Sequence, residues 1–100
     1  MLLSEILEDI RAERSRQIDK FGWQSLPNGT SADYEHSVAK VKELCEKQHN
    51  DGTLEWLTVL TEEFLEAAAE TDPVKLRAEL IQVAAVAAAW VQDLDNKSRS

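Results

Sequence analysis

Glu63 and Glu66 stand three residues apart, and Glu79 and Gln82 repeat the spacing a short way downstream. On a helix, residues at i and i+3 project from one face, so each pair offers two oxygen-bearing side chains in one direction. Two such pairs on adjacent helices, facing each other, form a cage of oxygens. That donor set suits a hard divalent cation such as Mg2+, with Mn2+ as the alternative ion. Mg2+ in particular keeps several waters that a phosphate can displace.

The setting of the pairs sharpens this reading. From Leu80 to Val91 the chain reads LIQVAAVAAAWV, in which Gln82 is the one polar residue, and Glu79 stands immediately before the run. Twelve apolar residues are too few to span a bilayer and instead mark a helix covered by other helices. A carboxylate beside such a helix is costly to bury unless its charge is compensated. Between Lys47 and Lys75, His49 is the one residue that could carry positive charge, whereas Asp51, Glu55, Glu62, Glu63, Glu66, Glu70 and Asp72 accumulate there. The compensating charge must therefore come from elsewhere. An ExxE taken alone describes a solvated acidic face equally well; it is the joining of two pairs, the apolar context and the lack of local bases that favour a metal site.

Four helices are expected to carry these residues. The first starts with Ser4 as N-cap and ends near Phe21, with Gly22 beyond it. The second runs from Ser31 or Ala32 to about His49, closed by Asn50, Asp51 and Gly52. Thr53 is the expected cap of the third, which continues to about Thr71 with Leu57, Leu60, Phe64, Ala67 and Ala68 as its core stripe. Asp72 and Pro73 form an N-cap and N1 pair for the fourth. So short a connection implies an antiparallel hairpin, which lets Glu63 and Glu66 face Glu79 and Gln82. Along the fourth helix Leu76, Leu80, Val83, Ala87, Trp90 and Leu94 repeat as an a/d seam.

On the first helix Leu3, Ile6, Leu7, Ile10, Ile18 and Phe21 define an apolar stripe, but Arg14 and Gln17 fall on the same line. A guanidinium in that position calls for carboxylates or phosphates; an ion pair with one of the many acids and a phosphate contact are equally open on the helix alone. Lys20 flanks the stripe. Trp23 could stack a base or fill a core. His36 and His49 lack metal-ligand spacing, and Cys45 has no CxxC partner, so it reads as an ordinary helix thiol.

The 100 residues amount to one small domain, spanning 1–100, and three glycines with two prolines favour long helices over loops. A domain of this size buries a limited fraction of its surface, so the nearly all-round apolar fourth helix implies cover from another subunit. The expected fold class is all-α, with antiparallel helical hairpins forming a four-helix-bundle-like core completed by oligomerisation. The net charge of −8 argues against a nucleic-acid groove, though not against small phosphates carried by a metal. No signal peptide or membrane span is evident, and one cysteine cannot form an internal disulfide, so a cytoplasmic location is expected.

Taken in order, ERSRQIDKFGWQ at 13–24, WLTVLTEEFLEAAAE at 56–70 and LRAELIQVAAVAAAW at 76–90 resemble the MazG-like all-α nucleoside triphosphate pyrophosphohydrolases, in particular the short single-domain bacterial and phage forms. The family's metal motif is EExxE followed by ExxD. The resemblance implies that Glu63, Glu66 and Glu79 are Mg2+ ligands and that Glu62 either supports them or orients the attacking water. It implies a homodimer or homotetramer that hydrolyses a nucleoside triphosphate to the monophosphate and pyrophosphate, with Arg14, Gln17, Lys20 and Trp23 as substrate contacts. Gln82 departs from the pattern: an amide offers a carbonyl oxygen but brings no charge and cannot bridge two cations as a carboxylate does. That substitution keeps two other readings open, a noncatalytic nucleotide- or metal-binding member of the fold and a structural helical oligomer or phage adaptor.

Overall fold

The computed structural model describes residues 2–99, and every regular element among them is helical. Helix α1 spans Leu3–Phe21, a single 3-10 turn covers Ala32–Tyr34, and α2, α3 and α4 span Glu35–Asp51, Trp56–Ala69 and Pro73–Arg99. The chain divides into two compact units. One comprises the residues up to Asn28 with those from Ala88 onward; the other runs from Gly29 to Ala87 and contains both acidic pairs.

Helix ends follow local chemistry. The amide of Gly22 donates to the Ile18 carbonyl, closing α1 with φ at 71°, a conformation that glycine adopts without a side-chain clash. At the end of α2 the amides of Gly52 and Thr53 donate to the carbonyls of His49 and Gln48. With Gly52 left-handed, this is the two-bond Schellman closure. Asp72 accepts from the Lys75 amide through its side chain at 3.0 Å and from the Leu76 amide through its carbonyl, and Pro73 follows as the first helical residue, as expected.

Two expected caps are replaced. Ser4 lies inside the first turn of α1, which starts one residue earlier behind Leu2. Thr53 does not cap α3, which begins at Trp56 behind an extended Glu55; its amide instead takes part in closing α2. The start of the second helix is also modified. Ser31 caps the short 3-10 turn by accepting from the Asp33 amide, and its own amide donates to the Ala68 carbonyl at 2.9 Å, tying the loop to the last turn of α3.

Within the Gly29–Ala87 unit, α2 packs along α3. Val41 of α2 and Thr58 and Ala67 of α3 are buried, together with Leu76 of α4. The anticipated α3 core stripe is only partly inside: Ala67 is buried and Leu60 and Ala68 are half-buried, but Leu57 and Phe64 remain 64% and 59% exposed. The reason is rotational. α2 takes the Thr58, Glu62 and Glu66 side of α3, leaving the Leu57–Phe64 side without cover in the single chain. On α4, Leu76 is buried and Val83, Ala87 and Trp90 are half-buried, while Leu80 and Leu94 of the same seam are about half exposed.

In the other unit Ile6 and Ala88 are buried, and Leu3, Leu7, Ile10 and Phe21 of the α1 stripe stay exposed. No helix among the described residues is long and apolar enough to cross a membrane.

Candidate metal centre

The turn formed by residues 70–72 returns the chain directly onto α3. Glu63 lies six residues before the end of α3, and Glu79 lies six residues after the start of α4, so the hairpin brings them level. Carboxylate oxygens of Glu63, Glu66 and Glu79 all come within 4.8 Å of one another, and all three residues are half-buried. The sequence spacing thus becomes a three-carboxylate cluster.

Its electrostatics reflect crowding. Burial pushes the Glu63 carboxyl above its usual range, and the neighbouring charges of Glu66, Glu62 and Glu79 push the same way against an opposing effect of Lys42. Glu79 is raised by burial first, then by the charge of Glu66, a hydrogen bond with Glu66 and the charge of Glu70, again opposed by Lys42. Carboxyls raised for these reasons bind protons more readily than free ones, because burial and neighbouring acids outweigh the opposing charge of Lys42. Three converging carboxylate oxygens with that deficit match the donor chemistry of a hard divalent ion.

Lys42 is the site residue that pattern reading missed. Its Nζ lies 3.4 Å from Oε1 of Glu66, joining α2 to α3. The local sequence between Lys47 and Lys75 offers no such partner; the fold supplies it from the preceding helix. Lys42, Glu66 and Glu79 line a hollow of about 290 Å3 together with Glu35, Val38 and Glu70. Only its place on the same α2 face as Val38, Val41 and Cys45 hinted at this in the sequence.

Glu62 lies on the α2-facing side, outside the three-carboxylate group. The Cys45 thiol hydrogen-bonds to it, and burial, this bond and the charges of Glu62 and Glu63 push the thiol's pKa up, which keeps it protonated and unreactive. Gln82, one turn beyond Glu79, is exposed in the single chain.

The α1 candidates sit in the other compact unit. Arg14 and Gln17, expected on a buried stripe, are exposed and bonded to each other, Arg14 Nη1 donating to Gln17 Oε1 at 2.9 Å. Both line a hollow of about 500 Å3 with Phe21, Trp23 and Leu26. Trp23 is 83% exposed, so it fills no core in this chain. The ammonium of Lys20 lies 5.2 Å from the Phe21 ring centre, a cation–π distance, and does not line the hollow.

No protein-family model, curated protein or solved structure matches this chain.

Proposed function

We propose that the protein is a Mg2+-dependent nucleoside triphosphate pyrophosphohydrolase of the MazG-like type, converting a nucleoside triphosphate to the monophosphate and pyrophosphate. The observation that carries the reading is the convergence of Glu63, Glu66 and Glu79 from two helices, with Glu63 and Glu79 short of compensating charge. Glu63, Glu66 and Glu79 would hold the ion, with the Gln82 carbonyl as a weaker neutral donor. Bound Mg2+ supplies positive charge for the phosphates and lowers the pKa of a coordinated water. Mn2+ suits the same oxygens.

The protein's own groups complete the chemistry. Glu62, adjacent to the cluster and close enough to raise Glu63, is the candidate for orienting water or accepting its proton. In the other compact unit, the forked guanidinium of Arg14 with its partner Gln17, the ammonium of Lys20 and the open face of Trp23 are groups of the kinds that suit phosphate oxygens and a base, and the resemblance implies them as substrate contacts. No covalent nucleophile is required.

The uncovered apolar surface supports an assembly of two or four copies. Leu57 and Phe64 on α3 and Leu80 and Ile81 on α4 are each more than half exposed, apolar side chains that a second copy would cover in completing the bundle. A cytoplasmic enzyme acting on small phosphates also accords with the acidic chain and its single half-buried thiol. The second reading, a noncatalytic metal- or nucleotide-binding protein, draws on the neutral Gln82. A panel of nucleoside triphosphates incubated with Mg2+ and monitored for pyrophosphate separates the two: release of pyrophosphate establishes hydrolysis, and saturable nucleotide binding without release establishes the noncatalytic alternative.

A further inference from the structure

Lys42 occupies an unusual place for a surface lysine. Its ammonium sits 3.4 Å from Glu66, longer than the 2.7–2.9 Å typical of a tight charge-assisted bond, and the side chain is 56% exposed while that of Glu66 is 23% exposed. The pairs Arg11–Glu8, Arg16–Glu13 and Lys97–Asp93 each join residues within one helix, whereas Lys42 reaches from α2 to a carboxylate of the cluster on α3. It opposes the raised pKa of both Glu63 and Glu79, so its field extends across the group. It also lines the open hollow that Glu66 and Glu79 border.

We propose that Lys42 is a positioning residue with two places: an internal counter-ion beside Glu66 in the metal-free protein, and a phosphate-binding arm once Glu66 is engaged by a divalent ion. This rests on the metal-site reading above. Three carboxylates and one ammonium leave a formal charge of −2 when all are ionised, which a single divalent ion neutralises. The same ammonium repels that ion while parked beside Glu66. A half-exposed lysine can move away from the incoming charge at little cost, and the open hollow that it lines with Glu66 and Glu79 gives its ammonium room to do so while staying within reach of a phosphate held there. One side chain thereby moderates metal affinity and rewards the arrival of a polyphosphate.

The test measures Mn2+ binding by calorimetry, then binding of inorganic tripolyphosphate to the Mn2+-loaded protein, in the full-length wild type, Lys42→Met and Lys42→Arg. Removing the competing charge should tighten Mn2+ binding about tenfold at neutral pH, while the loaded Lys42→Met protein should bind tripolyphosphate about tenfold more weakly. Lys42→Arg should retain the wild-type order of both affinities. The opposite signs are diagnostic, because a lysine that merely braced α2 against α3 would change the two affinities in the same direction or change neither. Either of those results, in a wild type that binds Mn2+, overturns the role of Lys42 and leaves the metal site standing. A wild type that binds no Mn2+ removes both.

Discussion

Glu66 and Glu79 come together across the turn that joins α3 to α4, their carboxylate oxygens within 4.8 Å of one another, and the Glu66 charge helps, after burial, to hold the Glu79 carboxyl above its ordinary value. Folding has brought together two groups that repel when both are ionised. The consequence is a cluster whose stability is linked to its proton content and, on the proposed reading, to a bound metal.

That linkage has a definite sign. Glu63 and Glu79 bind protons more tightly in the folded chain than at the ordinary carboxyl value of 4.5, so over the window from there up to their raised values the folded state holds more protons than the unfolded one. Metal-free stability therefore decreases as pH rises through that window, and is greatest, for these two groups, below it. Thermal melts in a chelating buffer should show Glu79→Gln more stable than wild type at pH 7, with the difference shrinking as pH falls below the window. A saturating divalent ion should reverse the order at pH 7, because it binds only the wild-type cluster tightly.

The three proposed ligand positions should separate in stability but agree in activity. Glu63→Gln, Glu66→Gln and Glu79→Gln are each expected to abolish Mg2+-dependent hydrolysis with the helical fold intact. Without metal, Glu63→Gln should gain about 0.2–0.5 kcal/mol from lost i,i+3 repulsion with Glu66. Glu66→Gln should instead be neutral or lose up to about 1 kcal/mol, because it also removes the partner of Lys42. Circular-dichroism melts beside a pyrophosphate-release assay measure both. Full activity in any two of the three variants would refute the cage.

Much of this centre was legible in the chain because helical spacing and punctuation are local properties. The pairing of Asp72 with Pro73 announces the start of α4, and the i,i+3 acids announce their shared face. The failures are tertiary. Lys42 precedes Glu66 by 24 positions, and its place on the face of Val38, Val41 and Cys45 puts it towards a neighbouring helix without saying which carboxylate it meets; the packing of α2 on α3 selects Glu66. The side chain of Thr53 suits a cap, but the N-cap position of α3 falls two residues beyond it, at Glu55, a boundary that local residue types do not reveal. The most apolar stripe of α3 is only partly the one that the single chain buries, with Ala67 inside and Leu60 and Ala68 half-buried. Leu57 and Phe64 of that stripe stay exposed.

Gln82 offers a direct test of charge at the fourth position. Because it is exposed in the single chain, Gln82→Asp should cost no more than the difference in helix propensity, about 0.5 kcal/mol, rather than the several kcal/mol of a buried carboxylate. It should also tighten Mg2+ and Mn2+ binding by adding an anionic oxygen one turn from Glu79. Calorimetric titration paired with thermal melting reads both effects. A large loss of stability without any change in metal affinity would show instead that this face of α4 is covered in the assembled protein and takes no part in the cage.

Phe64 decides whether the assembly exists. At 59% exposure in one chain, on the same side of α3 as Leu57, it has too little cover to contribute much to the stability of a monomer, so Phe64→Ala would then change stability by no more than about 0.5 kcal/mol. If a second copy buries the ring completely, the same substitution should cost about 3–5 kcal/mol and shift the protein toward monomer. Apparent stability should also increase with protein concentration in the wild type, since association favours the folded state by mass action. Denaturant melts at two widely separated concentrations, read beside sedimentation velocity, distinguish the two cases. We expect the larger loss and the concentration dependence, because Leu57, Phe64, Leu80 and Ile81 are each more than half exposed. A compact, fully folded monomer at micromolar concentration would reject the assembly.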